Sequence, residues 1–226
     1  MKKIFYTELA YVVGLITLAL GTALMEYADF GMSMVVAPAY LIYLKLSQFF
    51  SWFTFGMAEY CFQAMLIIAL SVILMKFKYK YLFSFATAFL YGNILDLIMR
   101  IVGMIPTSGY AQRITFYLVG MIICAVGVSF LFHTYITPEA YELYVKEIAE
   151  KTRIDIYVIK TIYDCCSCLI AIIMSFVFFG FGVFKGVKFG TFFCAIINGW
   201  LIGKCSKLLA SKLEFKDALS LNEMFE

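Results

Sequence analysis

Histidine is nearly absent from this chain: His133 is the only one, beside three prolines and two tryptophans. That scarcity removes whole classes of chemistry. There is no HExxH or paired HxxxH for a metal-dependent hydrolase and no GxSxG nucleophile elbow. The glycines at 180–190 form neither GxxxxGK[ST] nor GxGxxG, so no phosphate cradle or nucleotide cofactor is signalled. The sequence therefore points to no enzyme, no catalytic residue and no cofactor. Charge is the second scarcity. Charged residues make up 15% of the chain, against about 25% in soluble domains, too few to clothe a water-facing surface.

What is abundant is apolar surface. The 226 residues are 64% hydrophobic with mean hydropathy +0.92. In water such a chain would expose large sticky patches; lipid is the consistent solvent, and spans of about 20 residues consume nearly all of it as one integral membrane domain. The seven cysteines (Cys61, Cys124, Cys165, Cys166, Cys168, Cys194, Cys205) fall in apolar runs, where a thiol behaves as a small hydrophobe. Cys165-Cys166-Ser167-Cys168 lacks zinc-like spacing and a second ligand pair, so no metal site is expected. Met1-Lys2-Lys3 before an apolar run imitates a signal peptide, but the run is too long and Glu26-Tyr27-Ala28-Asp29 is no cleavage site.

The strongest pattern is a repeat. Tyr11-Val-Val-Gly-Leu-Ile-Thr-Leu-Ala-Leu-Gly21 returns 106 residues later as Tyr117-Leu-Val-Gly-Met-Ile-Ile-Cys-Ala-Val-Gly127, with six of eleven positions identical. Phe85-Ala-Thr-Ala-Phe89 matches Phe189-Gly-Thr-Phe-Phe193 at an offset of 104, and Glu59 and Gln63 match Lys160 and Asp164 by polarity at 101. Near-constant offsets over three segments indicate gene duplication.

Six spans are predicted: 7–27, 56–75, 81–105, 114–136, 156–180 and 188–209. Met34–Leu44, interrupted at Pro38, is too short to cross and is expected to be re-entrant or to lie on the surface. If re-entrant, Gly31 allows the turn, Ser33 caps the helix, and its amide end is available to an anion. Thr137-Pro138-Glu139 reads as a helix start, with Tyr141, Tyr144, Val145 and Ile148 on one face and Glu142, Lys146, Glu147 and Glu150 elsewhere. A short interfacial helix is expected there. The tail, 210–226, is polar and expected on the membrane surface. Tyr27, Tyr40, Tyr43, Trp52 and Phe53 suit the aromatic belt.

With the N-terminus inside, the inner segments hold Lys2, Lys3, Lys76, Lys78, Lys80, Lys146, Lys151, Arg153, Lys204, Lys207, Lys212 and Lys216. The outer loops hold only Lys45, Arg113, Lys185 and Lys188. The bias puts both termini on the cytoplasmic side and accounts for the basic residues without a nucleic acid. Three spans per repeat is an odd number, so the second repeat enters the membrane from the opposite side. The expected fold is all-α: a polytopic membrane protein of two inverted three-helix repeats, about 7–105 and 113–209, with a short helix after the first span.

Ionisable groups inside spans are expensive and carry the functional expectations. Asn93, Asp96 and Arg100 share one helical face, and Asp96 and Arg100 can neutralise each other at i, i+4. Lys160 and Asp164 repeat that spacing. A Glu59–Lys160 pair across the repeat axis would free Asp164 or Asp96 to carry a proton, unless Lys160 snorkels to the interface. Candidate pathway residues are Asp29, Ser33, Glu59, Gln63, Asn93, Asp96, Arg100, Lys160, Asp164 and Asn198.

Gly21-Thr-Ala-Leu24 with Ala28-Asp-Phe-Gly-Met-Ser33, then Lys160-Thr-Ile-Tyr-Asp164, Gly180, Gly182-Val183 and Gly190-Thr191 resembles the YczE/YitT-like bacterial integral membrane proteins over roughly residues 10–205. The resemblance implies a cytoplasmic-membrane protein and supplies no substrate. The function expected is a small secondary transporter, exporter or uniporter, of an unidentified small molecule, with homodimerisation plausible. Alternatives are a substrate-capture subunit of an energy-coupling-factor importer docking through Ala19 and Ala23, a lipid translocator, or a non-transporting scaffold.

Overall fold

A computed structural model describes residues 2–75, 77–106 and 109–219, with Lys80 described by its backbone alone. Lys76 and the tail beyond 219, both used in the sequence reading, lie outside the described residues. The described residues form eight helices and two short strands. In order they are β1 (Lys3–Tyr6), α1 (Thr7–Ala28), α2 (Ala37–Leu46), α3 (Phe55–Leu74), α4 (Lys80–Val102) and α5 (Tyr110–Phe132). Then come α6 (Ala140–Thr152), α7 (Ile156–Phe179), α8 (Phe189–Lys212) and β2 (Leu213–Lys216). Six of the helices, all but α2 and α6, are long and apolar enough to cross a membrane.

The span ends have local causes. Asp29 takes a left-handed conformation (φ 54°) that ends α1, and its N–H returns to the Glu26 carbonyl. Thr54 caps α3 by accepting from Met57 N–H at 3.2 Å, and Asp155 caps α7 by accepting from Tyr157 N–H at 2.8 Å.

At the centre α1 packs along α5, and these two helices carry the repeated stretch. Their backbones touch through glycine. A Cβ on Gly21 would fall 2.6 Å from the Gly120 carbonyl oxygen, and one on Gly127 would fall 2.9 Å from that of Gly14. Gly14 thus opposes Gly127 while Gly21 opposes Gly120, so the helices run antiparallel. Lipid offers no hydrophobic drive for helix association, and close van der Waals contact of this kind supplies it. Around the α1–α5 pair, α4 packs on α1 and α8 on α5; α3 packs on α4 and α7 on α8.

The two helices that do not span are built into the bundle. Residues 34–37, together with Ala39 and Leu41, are buried, and Ser167 in the middle of α7 donates to the Met34 carbonyl at 2.8 Å. That contact places the start of α2 at mid-depth. Its far end reaches the last turn of α7, where Lys45 Nζ donates to the Phe178 carbonyl at 3.2 Å. The α2 segment is therefore re-entrant. So, contrary to the sequence reading, is α6. Its start is held by Gln63 in the middle of α3, whose Oε1 accepts from Ala140 N–H at 3.0 Å. Its last turns reach Lys78, which pairs with Glu147 at 2.7 Å. The expected interfacial helix fails because two of its acids turn inward, Glu142 at 2% exposed and Glu147 at 6%, and only Glu150 faces outward. The helix also starts later than expected, with Glu139 in place of Thr137 at its N-cap.

Part of the tail is ordered as a strand. Residues 213–216 form a parallel pair with 3–6, in the register Lys3–Leu213 to Tyr6–Lys216, so the described ends of the chain lie on one face of the bundle. The ring of Phe215 stacks on His133 at 4.6 Å between centroids.

Candidate functional site

The two re-entrant helices begin against the same small interior cavity of about 20 Å³, lined from one side by Ser33, Val35 and Val36 and from the other by Glu139, Tyr141 and Glu142. Spanning helices close it, with Thr22 of α1, Tyr91 of α4, Cys124 of α5, Lys160 of α7 and Asn198 of α8 on its wall.

The polar groups behind this wall form a chain. Lys160 Nζ lies 3.2 Å from Asp164 Oδ1 and 3.5 Å from Glu142 Oε1. Asn198 Nδ2 donates to Asp164 Oδ2 at 3.0 Å, tying α8 to α7. On the other flank Tyr141 donates its hydroxyl to Glu59 Oε2 at 2.9 Å, and Gln63 Nε2 donates to Glu139 Oε2 at 2.9 Å. Glu59, Glu139, Glu142, Lys160 and Asp164 are each at most 2% exposed. Tyr91, also buried, pairs its hydroxyl with Thr22 Oγ1 at 3.0 Å. Burial first, and then the charges of Glu142 and Glu59, raise the Glu139 carboxyl well above the ordinary carboxylate range.

Five candidates from the sequence meet in this cluster: Glu59, Gln63, Lys160, Asp164 and Asn198. Ser33 lines the cavity but is not the expected cap: Val36 is the N-cap of α2, and Ser33 contributes only its carbonyl, which accepts from Val36 and Ala37 N–H at 3.1 and 3.0 Å. The expected Glu59–Lys160 pair does not form, because Tyr141 engages Glu59 while two nearer carboxylates hold Lys160. Nor does Lys160 snorkel; it is 1% exposed.

Four candidates lie elsewhere. Asp96 turns from Arg100 to cap the neighbouring helix, accepting from Thr54 Oγ1 at 2.7 Å and from Gly56 N–H at 2.9 Å. Asn93 is exposed and satisfies itself on the Phe89 carbonyl at 2.7 Å; Arg100 is exposed too. Asp29 sits at the end of α1 in an ion-pair cluster with Arg113, at 2.8 Å, and Lys188, which ties the start of α5 and of α8 to that end. Ala19 and Ala23, the proposed docking stripe, are fully buried. Of the belt aromatics, Trp52 is exposed, whereas Tyr40 and Tyr43 pack on Phe55 at centroid distances of 5.3 and 5.9 Å.

Sequence reasoning missed Glu139, Tyr141 and Glu142 as site residues. A signal was available: Tyr40-Leu-Ile-Tyr-Leu-Lys45 recurs as Tyr141-Glu-Leu-Tyr-Val-Lys146, at the offset of 101 already seen between α3 and α7. The α6 segment carries the α2 pattern, with Glu142 standing where α2 has Leu41.

Six helices of membrane-crossing length and apolarity around a buried polar cluster mark a membrane-embedded, multi-pass helical protein. The chain belongs to a family of unknown function (DUF6198), whose profile matches residues 5–207. Comparison with curated proteins and with solved structures returned no match.

Proposed function

We propose that this protein is a small secondary transporter working by alternating access between two inverted repeats, α1–α4 and α5–α8, in the cytoplasmic membrane of a bacterium with both termini inside. The observation that carries the reading is the small cavity at mid-depth, where two re-entrant helices from opposite faces meet over buried, ionisable side chains. Ionisable groups held there are costly to a mere scaffold. Midplane sites at a repeat interface, built with interrupted helices, are the recurring carrier arrangement.

The repeat relation has support from packing. Gly14 and Gly21 correspond to Gly120 and Gly127 in the duplicated stretch, and the contacts are Gly14 to Gly127 and Gly21 to Gly120. That reciprocity is the mark of a two-fold relation, and antiparallel helices put its axis in the membrane plane. Further contacts come in matched pairs, although α4 on α6 has no counterpart of like extent in α8 on α2: α2 touches α3 and α7, while α6 touches α7 and α3. The YczE/YitT-like resemblance belongs to the same proposal. No exposed small-residue stripe at Ala19 and Ala23 is left to favour an importer subunit.

The test is flux of radiolabelled small solutes into proteoliposomes, wild type against Asp164→Asn and Lys160→Met. The carrier reading expects uptake or efflux in wild type and its loss in variants that remain folded. Wild-type vesicles no leakier than empty ones across a broad solute panel would overturn it.

A further inference from the structure

The buried cluster does not balance its charge. Glu59, Glu139, Glu142 and Asp164 face a single cation, Lys160, so full ionisation leaves three negative charges in excess. The N-termini of α2 and α6 point at the same place and contribute about half a positive charge each. About two negative charges still remain without a counter-charge. Such an excess, taken from water, costs several kcal/mol per ion unless something positive joins it.

The oxygens show where. Glu139 Oε1 and Glu142 Oε2 are buried and accept no hydrogen bond among the described residues, although the other oxygen of each carboxylate has a partner. Both side chains line the cavity, and at about 20 Å³ it has room for one particle of water size. Among the described residues no group of three or more His, Cys, Asp or Glu is arranged to hold a metal ion, which disfavours a divalent metal.

We propose that this cavity binds one compact monovalent cation, of the size class of sodium or ammonium, between Glu139 and Glu142, in competition with protons. The exchange is balanced: a carboxyl O–H breaks, its proton leaves to solvent, and the cation takes its place on the carboxylate. Asp164 and Glu142 keep Lys160 in position, so the lysine serves as a fixed counter-charge and the variable one is the guest. The titratable groups facing the pair are Tyr11 from α1, Glu59 from α3, Tyr91 from α4, Cys124 from α5, Tyr141 from α6, and Lys160, Tyr163 and Asp164 from α7. The raised Glu139 carboxyl fits this picture. A carboxyl whose folded value lies above its unfolded one contributes stability below the ordinary carboxylate range, and that stability is lost as pH rises through the folded value. A cation should restore it at high pH.

The inference deepens the carrier reading by naming its coupling ion, but its test is binding and needs no transport. Purified protein is unfolded thermally in detergent at pH 6 and pH 8.5, with sodium, ammonium, methylammonium, potassium, choline or N-methylglucamine chloride at matched ionic strength. At a hundredfold excess over Kd, sodium or ammonium should raise Tm by about 5–10 °C at pH 8.5. At pH 6 the gain should be smaller, and choline and N-methylglucamine should give none. A response to sodium alone, or to ammonium and methylammonium alone, identifies which guest is preferred and supports the site either way. Glu139→Gln and Glu142→Gln should each abolish the cation-specific gain. Equal Tm in all salts, an equal gain in all salts, or an undiminished gain in both variants would overturn the proposal. Cation-specific stabilisation without flux would keep the site and sink the carrier; flux without it would do the reverse.

Discussion

Removing Lys160 should unbalance the site more than any other single change. Its ammonium stands 3.2 Å from Asp164 and 3.5 Å from Glu142, at 1% exposure. With an effective dielectric of about 20, one such pair attracts by about 5 kcal/mol before desolvation is counted. The desolvation already incurred by the partners is the larger matter, since deleting one member of a buried pair leaves the others uncompensated, at about 3–5 kcal/mol. Lys160→Met keeps the length and apolar stem, so the loss is electrostatic. For a chain of this size it amounts to a fall in Tm of about 6–20 °C. The triple variant Lys160→Met, Glu142→Gln, Asp164→Asn keeps the packing and removes the two carboxylates that Lys160 had paired, leaving Glu59 and Glu139 as they stand in the wild type, and should recover most of that fall. The strong non-additivity is what distinguishes charge imbalance from lost packing. Thermal unfolding of detergent-purified protein followed by tryptophan emission reads both. A single variant within 2 °C of wild type, or a triple variant no better than the single, would refute the reasoning.

Other outcomes follow from the packing and the caps. Gly21→Val forces a side chain where a Cβ already falls 2.6 Å from backbone atoms of α5. Overpacking of that kind costs about 1–3 kcal/mol or more, so size-exclusion chromatography should show a lost monodisperse peak, while the outward Val12→Leu keeps it. Asp96→Ala strips the acceptor from Thr54 and Gly56, which should lower Tm by about 2–4 °C at a cap's typical 1 kcal/mol. It should leave flux intact, whereas Asp164→Asn abolishes it; the reverse result would move the site to α4. Reporter fusions to the N-terminus and to a truncation after Lys216 should read on the same side of the membrane, because β1 and β2 pair in parallel; opposite sides would break the fold.

The spans were legible in the sequence because each is an apolar run of membrane-crossing length, and their ends carry caps the sequence displays, such as Thr54 and Asp155. The pairing of α1 with α5 follows from the same glycines that mark the repeat. Within the site, the i, i+4 spacing of Lys160 and Asp164 was enough to place them together. What failed was the reading of 137–155. A helix with apolar residues on one face and acids on the others is written identically whether those acids meet water or meet Lys160, Lys78 and Gln63. Asp96 misled in the opposite way: its spacing to Arg100 allows an ion pair, but the free N-terminus of α3 competes for the same carboxylate. The β1–β2 pair was invisible because four residues at one end of the chain find four at the other, a contact no local pattern encodes.

The glycine seam between α1 and α5 sets what can stay still. Where backbones meet with no side chains between them, there is no cushion on which one helix could slide or tilt against the other. The seam is placed to act as a keel: on the carrier reading, an opening of the buried chamber toward either face falls to the outer pairs, α3 with α4 and α7 with α8, swinging about it.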